Sequence, residues 1–171
     1  MMRPAAGSRM WVAAVLAATA CKARVNAEPA PSERSAPSVG PVDPGHLLMT
    51  SALAAGDVPS IVRDAATEAA AQKRRLVVYV GAEWCEPCSR FRQAAESGRL
   101  DALFGDLTLL VFDQDRDGER LKAAGYLSQY IPLFALPAAD GTASRRQIEG
   151  GIKGERTVAY IAQRLRLLLE R

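Results

Sequence analysis

The sequence is short of nearly everything that would mark it from composition alone. It has 3 cysteines, too few for a disulfide-stapled scaffold, and a single histidine, His46. The formal net charge is only +3, and the aromatics (2 Trp, 4 Tyr, 4 Phe) are not interleaved with the basic residues. A charged stacking surface for nucleic acid is therefore not expected. No hydrophobic run is long enough to cross a bilayer: the most apolar stretch, Met10–Ala20, is about eleven residues, against roughly 20 for a membrane helix. Within 171 residues there is room for one domain plus extensions.

What is present falls into three parts. Residues 1–20 begin with Arg3 and Arg9 and no acid, continue into the apolar run and end in the small residues Ala18-Thr19-Ala20. That order reads as a secretory signal peptide. Cys21 follows immediately, and the junction resembles the lipobox of bacterial lipoproteins, in which that cysteine is lipidated and becomes the mature N-terminus. The family usually has Leu three residues before the cysteine, where this chain has Ala18 and its nearest Leu is Leu16. Cleavage after Ala23 or Ala27 is the competing outcome and would discard Cys21. An unpaired thiol is a liability in an oxidising compartment, and acylation or removal both resolve it. The resemblance implies a chain exported to the periplasmic side of a bacterial membrane and held by a lipid anchor, or soluble in the periplasm if Cys21 is lost.

Residues 21–46 carry Pro29, Pro31, Pro37, Pro41 and Pro44 without a period of 2 or 3.6. Proline removes backbone donors and opposes helix, so a flexible tether is expected, with His46 exposed and incidental at its end.

Residues 47–171 form the expected domain. From Asp57 the pattern alternates: a helix to about Arg75 capped by Asp57 or Ser60, with Ile61, Ala65, Ala69 and Gln72 on related faces; a buried strand at Leu76–Val80; a helix from the cysteines to about Ser97; a second buried strand at Leu107–Phe112; a short helix at Gly118–Ala124. Strands at Leu133–Leu136 and Arg145–Ile148 flank the hairpin signal Asp140-Gly141, and an amphipathic helix with Val158, Ile161, Leu165 and Leu168 on one side closes the chain. The fold class is α/β, with a central mixed sheet of about four strands flanked by helices.

The chemistry-bearing residues are Trp84-Cys85-Glu86-Pro87-Cys88. A C-x-x-C pair can be half of a zinc site, a structural disulfide or a redox pair. Zinc needs further ligands, and only Cys21 and His46 are on offer, so no metal is expected. A disulfide closing so small a loop adds little stability. Position favours redox chemistry, because the pair follows a buried strand and opens a helix. The helix N-terminus favours a thiolate, and such sites lower a thiol pKa from about 8.5 into a range of about 3.5–7.5. Cys85 is expected exposed, Cys88 one turn inward and shielded, and Pro87 fits the first turn, whose N–H groups have no helical acceptor.

This stretch resembles the thioredoxin family, and the resemblance runs from Asp57 to the C-terminus. It is carried by Ala82-Glu83-Trp84-Cys85-Glu86-Pro87-Cys88, by Phe112-Asp113-Gln114-Asp115, by Tyr130-Ile131-Pro132 ahead of a strand, and less specifically by Gly150 and Gly151. The resemblance implies the thioredoxin fold, a cis Pro132 facing the disulfide, Cys85 as attacking thiolate and Cys88 as resolving thiol. Trp84, Pro87, Ile131 and Pro132 would form the substrate-binding surface. No cofactor is implied beyond the redox-active Cys85–Cys88 disulfide. Departures are Tyr79, where the family commonly has a buried Asp, Tyr130 for the usual Gly and Leu133 for the usual Thr. The Glu-Pro pair between the cysteines resembles membrane-tethered reductases. The expected partners are protein thiols or disulfides, a membrane-associated electron donor and the membrane itself, with no nucleic acid. The expected activity is thiol–disulfide oxidoreductase, as a reductase; oxidase or isomerase activity on the same site and a non-enzymatic tethered binding module are the alternatives.

Overall fold

The computed structural model describes residues 45–170. The elements in order are β1 (Leu48–Ser51), α1 (Val58–Ala71), β2 (Arg75–Gly81), α2 (Glu86–Glu96), α3 (Asp101–Phe104), β3 (Leu107–Asp113), α4 (Gln114–Ala123), β4 (Leu133–Pro137), β5 (Ala143–Glu149) and α5 (Thr157–Glu170). They build one sheet in the order β1-β3-β2-β4-β5. β1 and β2 run parallel to β3, β4 runs antiparallel to β2, and β5 antiparallel to β4. This mixed sheet with helices on both faces is the thioredoxin fold.

Alternation along the central strand explains the layers. Val77 and Tyr79 of β2 point to one face, where Phe91 of α2, Phe104 of α3 and Ile161 and Leu165 of α5 cover them. Leu76, Val78 and Val80 point to the other, against Val58 and Val62 of α1 and Leu121 of α4. A strand buried on both faces has to be apolar at every position, which is why Leu76–Val80 reads as a continuous run. Tyr79, Phe91 and Phe134 meet with ring centroids 4.8–6.0 Å apart, so α2 is fixed to the sheet directly behind its N-terminal turn.

The structure corrects the sequence reading in several places. The sheet has five strands, not about four: Leu48–Ser51 adds a parallel edge strand, with Leu48 opposite Thr108 and Ser51 opposite Val111. α1 stops at Ala71 because Lys73 turns back with φ 57°, and Arg74 then passes inward to donate to the carbonyls of His46 and Leu107 and to Thr108 Oγ1. The fully buried residues of α1 are Val58, Val62 and Ala69, while Ile61 and Ala65 pack only partly against the core. α4 starts at Gln114, not Gly118, since the Asp113 side chain caps it by accepting from the amides of Asp115 and Arg116. His46 is exposed but not incidental: its Nδ1 lies 2.5 Å from Asp101 Oδ2, whose carboxyl also takes the Leu47 amide. Among the described residues no helix is long and apolar enough to cross a membrane.

Candidate functional site

The site forms where β2 ends and α2 begins. Cys85 is the N-cap of α2, in extended conformation, and its Sγ accepts the Cys88 amide at 3.2 Å. A sulfur thus takes the role that Ser or Asp oxygens usually play at a helix start, satisfying an amide with no helical acceptor. Pro87 sits in the first turn, where its missing N–H has no consequence. Cys85 and Cys88 are joined in a disulfide, with Cα atoms 5.2 Å apart.

Across from the pair, Ile131–Pro132 is a cis peptide, and the Ile131 carbonyl oxygen lies 3.8 Å from Cys85 Sγ. Pro132 is buried and Ile131 half-buried. Cys85, Pro87, Gln129, Tyr130, Ile131, Gly151 and Lys153 line one open cleft of about 320 Å³ together with Trp84 and Glu86. Trp84 and Tyr130 stand 69% and 64% exposed at its rim, an unusual position for such large apolar surfaces and one suited to contact with a second molecule.

All five residues of the Trp84–Cys88 motif, with Ile131 and Pro132, therefore converge. One expectation fails: Cys85 is only 4% exposed, not open to solvent. First-turn position alone ignores the Ile131 loop, which approaches the sulfur from the opposite side. Cys88 is fully buried. Cys21 lies outside the described residues, as do the signal segment and nearly all of the tether.

Contacts between residues far apart in the chain, which no motif shows, complete the site. The Trp84 indole N–H donates to Asp115 Oδ2 at 2.8 Å, tying the exposed ring to α4. Glu86 Oε1 accepts from Arg90 Nε at 2.8 Å and from the Gly154 amide at 3.1 Å, binding the first turn of α2 to the loop before α5. The Arg90 bond, supported by that amide, holds the Glu86 carboxyl below the usual glutamate range. Its i,i+4 spacing to Arg90 was readable in the sequence; the Gly154 contact was not. Glu83 is exposed to solvent. Tyr79 is fully buried, and burial pushes its phenol up to about 12, with Arg92 partly offsetting this, so the hydroxyl stays protonated across the physiological range. No hydrogen bond of good geometry reaches that hydroxyl among the described residues.

No protein-family model and no curated protein matches the chain. Among solved structures it is similar to thioredoxin O1 from Arabidopsis thaliana in the oxidised state, with 17% identity over 73% of this chain and 96% of that one, at a TM-score of 0.44. It is also similar to a single-substitution mutant of a thioredoxin from Halobacterium salinarum, with 19% identity over 77% of this chain and 94% of that one (TM-score 0.46). A third is the thioredoxin of Trichomonas vaginalis, with 23% identity over 63% and 86% (TM-score 0.42).

Proposed function

We propose that this chain is an exported thiol–disulfide oxidoreductase that reduces disulfides in proteins. The observation that carries the reading is the Cys85–Cys88 disulfide at the N-cap of α2, inside an apolar-rimmed cleft and facing the Ile131 carbonyl. With the pair reduced, the Cys88 amide and the helix N-terminus favour a thiolate at Cys85. That thiolate attacks a substrate disulfide; a Cys85–substrate bond forms and one substrate thiolate leaves. The Cys88 thiolate then attacks Cys85 Sγ, forming Cys85–Cys88 and releasing the second substrate thiolate. Two electrons pass to the substrate in all, and no cofactor is consumed. Trp84, Pro87, Ile131 and Pro132 present the docking surface.

The N-terminal 46 residues support an extracytoplasmic setting: a signal peptide over 1–20, then a proline-rich tether over 21–46, with Cys21 as the lipid-bearing residue. Acyl chains on Cys21 would anchor stably, each buried methylene contributing about 0.8 kcal/mol. In an oxidising compartment a reductase needs electrons delivered to it, so a membrane-associated donor is part of the proposal.

The test is capture of the intermediate. The full chain carrying Cys88→Ser, reduced and mixed with insulin, should accumulate a mixed disulfide at Cys85 that dithiothreitol releases, and Cys85→Ser should not. Absence of any adduct with Cys88→Ser would leave a binding module as the better account.

A further inference from the structure

We propose that Glu149 is the positioning residue of this site, the group whose carboxylate fixes the Ser128–Ile131 segment over Cys85 and so determines how protein substrates dock; the inference rests on the oxidoreductase reading above. Ser128 Oγ lies 2.6 Å from Glu149 Oε2 and also against the Tyr130 carbonyl, its one proton shared between the two acceptors, and the Gln129 amide donates to the same carboxylate oxygen at 3.0 Å. The Tyr130 amide donates in turn to Ser128 Oγ at 3.1 Å. Three consecutive residues are thus held, directly or through one hydroxyl, by a single carboxylate that is distant in the chain. The last of them carries the exposed ring at the cleft rim, and the next, Ile131, carries the carbonyl that faces the sulfur.

Glu149 is itself clamped. It ends β5, opposite Leu133 of β4. The following Gly150 amide donates to the Pro132 carbonyl at 2.9 Å, and Arg164 Nη1 of α5 donates to the carbonyls of Glu149 at 2.9 Å and Gly150 at 3.2 Å. Gly150 makes this turn with φ 72°, and a Cβ there would lie 3.2 Å from Tyr130 Cβ, so the backbone reverses directly against the residue being positioned. The Ser128 and Gln129 bonds hold the Glu149 carboxyl below the usual glutamate range, with Ser128 the largest cause, so the charged form is the one that holds the loop. Bonds to a charged acceptor are stronger than neutral ones, and these tie the loop to β5 and, through Arg164, to α5.

A docking role and a chemical role separate by substrate. Insulin must lie along the Tyr130–Ile131 loop; hydroxyethyl disulfide is too small to need it. Glu149→Gln keeps the shape but loses the charge, and is expected to lower kcat/KM on insulin about fivefold, about 1 kcal/mol, chiefly through KM. The rate with hydroxyethyl disulfide should stay within about twofold. Ser128→Ala, which leaves the carboxylate in place, should move the insulin KM in the same direction and serves if Glu149→Gln folds poorly. An equal loss on both substrates, or no change on insulin with either variant, overturns the assignment. Wild-type chain that reduces neither substrate sinks the oxidoreductase reading, and the positioning role with it, before any variant is compared.

Discussion

Replacing Gly151 with alanine places a methyl carbon 2.9 Å from Pro87 Cβ and 3.4 Å from Ile161 Cδ1. Carbon atoms are at ease about 3.5–4.0 Å apart, so the first contact is over-close by more than about half an ångström. Neither neighbour yields easily. Pro87 is a ring in the first turn of α2, buried between the two cysteines, and Ile161 is buried in α5. The strain must go into moving α2 or the loop after Gly150, whose Gly154 amide is bonded to Glu86. Overpacking of this kind costs about 2 kcal/mol. In urea unfolding, at a slope of about 2 kcal/mol/M, the midpoint should fall by about 1 M with the slope unchanged. Gly154→Ala is the control. It has φ 87° but, among the described residues, nothing within 4 Å of the added carbon, so only the backbone cost of about 1 kcal/mol applies. If Gly151→Ala proves as stable as wild type, or no less stable than Gly154→Ala, the claim that Pro87 and the Gly151 loop are packed to contact is wrong.

Tyr79→Phe removes a buried hydroxyl that has no well-formed hydrogen bond among the described residues, and should leave unfolding free energy within about 1 kcal/mol of wild type; a loss of several kcal/mol would show that Arg92 does bond the phenol. Asp117 is fully buried with Arg116 and Arg120 each 2.8 Å away and the Asp113 amide at 2.9 Å. Burial alone would raise its pKa, but the bonds from Arg116, Asp113 and Arg120 together hold it below the usual aspartate value. Its contribution is therefore present above the unfolded-state pKa near about 4 and lost as pH falls through the lower folded value. Asp117→Asn should cost about 3 kcal/mol at pH 7, measured by urea unfolding, and flatten the loss of stability expected below about pH 4. Trp84→Ala, at an exposed position, should change stability by no more than about 0.5 kcal/mol while raising the insulin KM.

The elements that were legible are those where local pattern and tertiary role agree. Leu76–Val80 is apolar at every position because both faces are covered, and the Cys85-Glu86-Pro87-Cys88 string carries its own helix start in Pro87. β1 was not legible: four residues, two of them exposed, on a sheet edge make no periodic signal. Asp117 could not be told from its neighbours in Gln114-Asp115-Arg116-Asp117, since only the tertiary structure buries one acid and leaves the next in solvent. Glu149, Ser128 and Gly154 act on the site through contacts between residues far apart in the chain, which no local spacing encodes. Helix position alone predicts an open Cys85; the Ile131 loop, distant in the chain, covers it.

The most direct test of the central claim is the reduction potential of Cys85–Cys88, obtained by equilibrating the full chain in dithiothreitol or glutathione buffers and trapping the thiols. A value near or below about −250 mV is the predicted result for a reductase fed by a membrane donor. A value between about −180 and −120 mV would contradict that direction of electron flow and make the site an oxidase or isomerase.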